Sequence, residues 1–136
     1  MLGKLTEIQI NNLLTRQAVG RIGYHDAKKT YITPVTYAFD GVYVYGQSNE
    51  GLKLEIMRKD PYVCFEVDAM MSMSNWESVI AWGHFEELFG EEAVTARAYL
   101  YNKILDLLTA SAVHPHEHGA FHTIDDSNRI KEVMYR

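Results

Sequence analysis

The chain predicts a mainly β fold: a β-barrel of six to seven largely antiparallel strands with flanking helices, in one domain spanning residues 1–136. Three observations point there. Between Ala18 and Phe89, β-branched and aromatic runs alternate with turn residues at short spacing. Helical periodicity is confined to Thr6–Gln17, Glu50–Lys59 and Glu91–Leu108. That many strands in 136 residues would leave long unpaired edges as an open sheet, so closure is expected.

Thr6-Glu7-Ile8-Gln9 has the form of a capping box, with the Thr6 hydroxyl accepting from the Gln9 amide while the Gln9 side chain reaches back. A short helix follows, with Ile10, Leu13 and Leu14 on one face and an end near Gln17. Ala18–Tyr24 predicts a first strand, His25–Lys29 a polar turn, and Tyr31–Phe39 a second strand. Asp40-Gly41 is expected to make a two-residue hairpin turn between Thr36–Phe39 and Val42–Tyr45, because both residues tolerate positive φ. Glu50–Lys59 carries Leu52, Ile56 and Met57 among charges and predicts a short helix that Asp60-Pro61 ends. Tyr62–Val67 reads as a strand, the Met- and Ser-rich Ala69–Asn75 as a loop, and Glu77–Leu88 as a long strand with Gly83 at a bulge or bend. Glu91–Leu108 is the longest helix, its apolar stripe running through Val94, Ala98, Tyr101, Leu105 and Leu108, and it is expected over a barrel opening or edge. Ala120–Ile124 and Ile130–Tyr135 suggest the last two strands.

Composition narrows the function classes. Thirteen Lys and Arg against eighteen Asp and Glu give a formal charge of −5, with the basic residues scattered, so no nucleic-acid partner is expected. The single cysteine, Cys64, lies in an apolar run and is expected to pack as a small hydrophobe in a reducing compartment. The start lacks a signal-peptide core, and no run of about 18 apolar residues occurs, which predicts a soluble cytoplasmic protein without a membrane partner.

Chemistry concentrates in Gln47-Ser48-Asn49-Glu50-Gly51-Leu52-Lys53, between a strand and the first turn of a helix. Helix N-terminal amides carry a partial positive charge, Gly51 permits close backbone approach, Ser48 offers a hydroxyl and Lys53 a full charge. Two readings follow from these residues: an anion seat suited to a phosphate, or a helix cap from Ser48 or Asn49 with a solvated Lys53.

With Val19-Gly20-Arg21-Ile22-Gly23, Tyr31-Ile32-Thr33-Pro34-Val35-Thr36-Tyr37, Ser48 with Gly51 and Lys53, Arg58–Asp68, and Trp76–Gly83 in this order, the chain resembles the flavin-binding split barrels related to pyridoxamine 5′-phosphate oxidase, and within them the branch of nitroimidazole-resistance-type reductases. The resemblance implies a six-stranded split barrel, a homodimer and FMN at the dimer interface. It implies that Thr33, Pro34, Val35 and Thr36 lie along the isoalloxazine ring and meet its polar edge with backbone groups, that Ser48 and Lys53 hold the phosphate, and that Trp76 and Ser78 join the pocket from either subunit. Trp76 has a second reading as packing in the dimer core. Gln47 stands where many relatives place a His, so mechanistic detail from the His-bearing branch does not carry over. The oxidase's C-terminal substrate signature is absent from Asn128 to Arg136, so oxidation of pyridoxamine phosphate is not expected.

His114, His116, His118, His122 and Glu117 invite a metal reading, but alternate residues of an extended loop point apart, and a surface loop without metal is expected. No hydrolase elbow or dinucleotide-binding glycine motif occurs, and no catalytic residue is assigned. The expected function is that of an FMN-dependent oxidoreductase passing electrons from reduced nicotinamide to a small acceptor such as a nitroaromatic or quinone. Two alternatives stay open: a flavin carrier or sensor without turnover, and the same barrel holding a deazaflavin or haem.

Overall fold

The computed structural model describes residues 3–110 and 132–135. Along the chain these form α1 (Glu7–Arg16), β1 (Val19–His25), β2 (Thr30–Phe39), β3 (Val44–Asn49), α2 (Leu52–Lys59), β4 (Tyr62–Ser72), β5 (Asn75–His84), α3 (Gly90–Ala110) and β6 (Glu132–Tyr135). Six strands, all in antiparallel pairs, follow the order β5-β4-β1-β2-β3-β6. Beyond β5 the chain bends back onto the far edge: Glu87 bridges Tyr135, and the Leu88 amide donates to the Met134 carbonyl at 2.9 Å. This contact closes the sheet into a split barrel and shortens both edges.

Alternation along the strands sorts side chains into an interior and an outer wall. Ile22, Tyr24, Val35, Tyr37, Phe65 and Val67 point inward, and the barrel is filled from α1 by Leu13 and Leu14 and from α2 by Leu54, Ile56 and Met57. The expected capping box opens α1, with Gln9 N donating to Thr6 Oγ1 at 3.2 Å and Thr6 N donating to Gln9 Oε1 at 2.8 Å. Arg16 then ties the end of α1 to Glu77 of β5 at 3.0 Å. A second cluster forms outside the barrel, where Ala96, Leu100 and Ile104 of α3 cover Ala38 of β2 and Met134 of β6. Among the described residues, only the β2-β3-β6 half of the wall is covered in this way. Gly46 of β3 is needed for space, since a Cβ there would stand 2.6 Å from the Tyr135 ring.

Several expectations shift. The hairpin forms, but its ladder ends at Phe39↔Val44 and the Asp40 amide donates to the Tyr43 carbonyl, so Gly41 and Val42 occupy the turn in place of Asp40 and Gly41. Ala69–Asn75 is no loop: β4 runs to Ser72 and β5 starts at Asn75, because pairing with the partner strand carries both past the composition signal. The register shift lies between Met70 and Ser72, while Gly83 pairs regularly with Val63. β5 ends at His84 rather than Leu88. On α3, Val94 and Leu105 are 62% and 56% exposed; the helix is apolar on more than one face, and small Ala96 lets the one through Leu100 and Ile104 approach the sheet. Cys64 is half-buried on the outer wall, its sulfur filling the space left by Gly23. The expected strand Ala120–Ile124 lies outside the described residues.

Candidate functional site

β3 hands over to α2 within two residues, Glu50 and Gly51. Gly51 is the N-cap of α2 and supplies no side-chain hydrogen bond, while the Ser48 hydroxyl donates to the Asn49 carbonyl at 3.1 Å. Neither Ser48 nor Asn49 is the helix cap, so the first-turn amides of α2 have no capping side chain among the described residues. Apart from the adjoining residues of the chain, no described atom lies within 4 Å of where a Gly51 Cβ would stand, leaving the approach to the turn open among the described residues. Lys53 is half-buried, its desolvation pushes the ammonium below its ordinary value, and it has no ion-pair partner among the described residues. An anion placed here would remove that cost.

The carboxylate of the turn is already engaged. Arg58 donates to both oxygens of Glu50, at 2.9 and 3.0 Å, and its Nε donates to Glu87 at 2.7 Å. Sequence reading missed this fork because Glu87 comes from beyond β5, 29 residues away.

Gln47 and Ser48 are separated by strand alternation. Gln47 shares the wall under α3 with Tyr45 and Met134, and its Oε1 is buried without a partner among the described residues. Ser48 lies on the opposite face, with Gly46. The quartet on β2 divides similarly: Val35 points into the core and Thr33 bonds the Tyr24 hydroxyl at 2.9 Å, while Pro34 and Thr36 are exposed outside. β2 pairs with β3 only at Tyr37–Phe39, so the edge of Thr33–Thr36 turned away from β1 has no strand beside it among the described residues. Pro34 can stand inside a ten-residue strand because no ladder on that edge requires its missing N–H. An exposed main-chain edge of this kind can meet a flat polar ligand.

Trp76 and Ser78 sit elsewhere on the barrel. They line a groove of about 470 Å³ with Lys4, Leu5 and Ser74 at the β5 edge, without any residue of the Ser48–Lys53 segment. Trp76 is 44% exposed in the single chain. The Ser78 hydroxyl donates to Glu66 at 3.2 Å; burial and the neighbouring Asp68 raise the Glu66 carboxyl above its ordinary value, against the pull of Arg21 at 3.6 Å. A second groove of about 600 Å³ on the same uncovered wall holds Ile32, Tyr62, Cys64, Trp82 and His84. Among the described residues no group of three His, Cys, Asp or Glu gathers as a metal site; His114–His118 and His122 lie outside them.

The family model for pyridoxamine 5′-phosphate oxidase matches residues 6–129. The chain belongs to that family. The matched stretch contains every candidate site residue from Thr33 to Ser78. The crystal structure of an FAD-binding protein from Mesorhizobium loti is similar to this chain, with 26% identity, 97% of this chain and 86% of that one covered, and a TM-score of 0.74. A haem-binding protein from Mycobacterium smegmatis shares the fold at 18% identity, with 88% of this chain and 46% of that one covered and a TM-score of 0.61. An uncharacterized protein of Rhizobium meliloti (strain 1021) is 38% identical over 58 residues, which are 43% of this chain and 38% of that relative, so the match spans about two fifths of its length. No described helix is long and apolar enough to cross a membrane.

Proposed function

We propose that the protein binds FMN and acts as a flavin-dependent oxidoreductase, taking electrons from reduced nicotinamide and passing them to a small acceptor such as a nitroaromatic or quinone. The observation that carries this reading is the half-buried Lys53, without an ion-pair partner among the described residues, beside the open first turn of α2. Lys53, Ser48 and the α2 amides would hold the phosphate, and the unladdered edge of Thr33–Thr36 would meet the polar edge of the ring. Bound flavin would supply the redox chemistry while the chain supplies binding and orientation. The flavin ligand of the relative from Mesorhizobium loti supports the class of cofactor. Trp76 and Ser78 lie apart from the phosphate segment and would complete the pocket from a second copy, in a cytoplasmic homodimer.

The test is an absorption spectrum of the purified protein, repeated after titration with FMN and FAD and removal of free ligand. Flavin bands with released FMN support the reading; a Soret band or a deazaflavin spectrum replaces the cofactor. Lys53→Ala should weaken FMN binding by roughly ten- to a hundredfold, the loss of a charge-assisted phosphate contact of about 1.5 to 3 kcal/mol. Unchanged affinity overturns the phosphate assignment. Reduced nicotinamide consumed with a nitroaromatic or quinone present establishes turnover, whereas tight FMN without any acceptor reduced makes the protein a carrier or sensor.

A further inference from the structure

The turn from β3 into α2 contains a contradiction. It offers an anion the open amides of α2 and the charge of Lys53, yet its first residue, Glu50, is a carboxylate directly beside Gly51, the N-cap. A bound phosphate and a free Glu50 would repel one another across a few ångströms, at a site whose partial burial weakens solvent screening. The contradiction is resolved by a residue in the last turn of the same helix. Arg58 presents its fork to both Glu50 oxygens, at 2.9 and 3.0 Å, and is itself anchored by Glu87 at 2.7 Å, with the Glu87 side chain only 17% exposed. Glu87 is also the residue that bridges Tyr135 and closes the barrel, so the guanidinium is held by a fixed part of the wall.

We infer that Arg58 is a positioning residue for the anion seat: its bidentate pair with Glu50 holds the carboxylate of the turn out of the seat and offsets part of its charge, leaving Lys53 to meet a phosphate. Planar bidentate geometry is what arginine provides and lysine does not. The inference rests on the assignment of the phosphate to Ser48 and Lys53, and it separates Arg58 from residues that touch the ligand.

The experiment titrates FMN into the wild type, Arg58→Met, Glu50→Gln, Arg58→Met with Glu50→Gln, and Glu87→Gln, with a melting curve for each. Arg58→Met should weaken FMN by about tenfold, the size expected of one uncompensated like charge near the ligand. Adding Glu50→Gln to it should recover most of that loss, although no ion pair is restored, and this rescue is the outcome a merely structural Arg58 would not give. Glu50→Gln alone should bind FMN at least as tightly as the wild type, and Glu87→Gln should lower the melting temperature more than the affinity. Two results overturn the inference: Arg58→Met binding FMN as the wild type does, or the double variant binding no better than Arg58→Met. Should Arg58→Met not fold, Glu50→Gln still decides, because a tenfold loss there would make Glu50 a helper of binding rather than its hindrance. A wild type that retains no FMN fails the cofactor assignment itself, and the inference with it.

Discussion

Tyr37 shows how one side chain can join three elements. It has no accessible surface, donates its hydroxyl to the Leu14 carbonyl at 2.6 Å, and packs edge-on against Phe65 with ring centroids 4.9 Å apart. Over its face lies Lys103 of α3, whose Nζ is 4.2 Å from the ring centroid and donates to the carbonyl of Gln17, the C-cap of α1, at 2.6 Å. Carbonyl and ring both favour the charged ammonium, but desolvation of a half-buried lysine outweighs them and pushes its pKa down to about 8 from an ordinary 10.5. Between those two values the unfolded chain binds more protons than the folded one, so this group makes stability rise with pH across that window. Tyr37 acts in a separate range: burial pushes it up to about 12 from 10.0, so its contribution is lost only as pH climbs between those values. Urea unfolding at pH 7.5 and 9.5 should therefore show the wild type gaining stability relative to Lys103→Met at the higher pH. Parallel shifts of the two proteins would show that the lysine remains fully charged in the fold.

Elements were legible where their signal is local. The α1 capping box stood in four consecutive residues, and the Asp40-Gly41 pair marked the hairpin. Which residue takes the central turn position is set by the ladder, and the ladder places Gly41 there with φ 100°, while the Asp40 carboxylate accepts from the amides of Val42 at 2.8 Å and Tyr43 at 2.7 Å. Burial raises the Asp40 carboxyl, yet these two amides and the Tyr45 hydroxyl outweigh it and hold the group below its ordinary value. Gly41→Ala should thus cost roughly 1 to 2 kcal/mol, the strain of an L-residue in left-handed backbone. Gly83→Ala serves as the control: open space surrounds its Cβ position, and its cost should stay within about 0.5 kcal/mol. Equal urea midpoints for the two variants would mean that the turn absorbs the change. What composition concealed were features decided by a partner: the extension of β4 and β5 through Met70 and Asn75, and the face of α3, selected by Ala38 and Met134 on the sheet.

At the scale of the whole molecule, the same division governs the candidate site. Ser48, Gly51 and Lys53 were readable because a strand-to-helix turn lies within one short segment, whereas the free edge of β2 and the Glu50–Arg58–Glu87 fork exist only once the barrel is closed. The closed barrel is also asymmetric. α3 covers the wall of β2, β3 and β6, but the wall of β5, β4, β1 and β2 carries Trp82 at 78%, Ile32 at 71% and Ile80 at 50% exposure with no helix over them among the described residues. Apolar side chains exposed together on one wall, next to the Arg21, Glu66 and Asp68 charges of the neighbouring strands, have the character of an interface. A second copy presenting the same wall would cover them. Light scattering at micromolar concentration should accordingly give a dimer for the wild type and a monomer for Trp82→Glu, since a carboxylate buried at such a centre lacks a partner. If the flavin pocket is shared between copies, FMN retention should fall together with the dimer; a monomeric Trp82→Glu that still holds FMN with wild-type affinity would place the whole pocket within one chain.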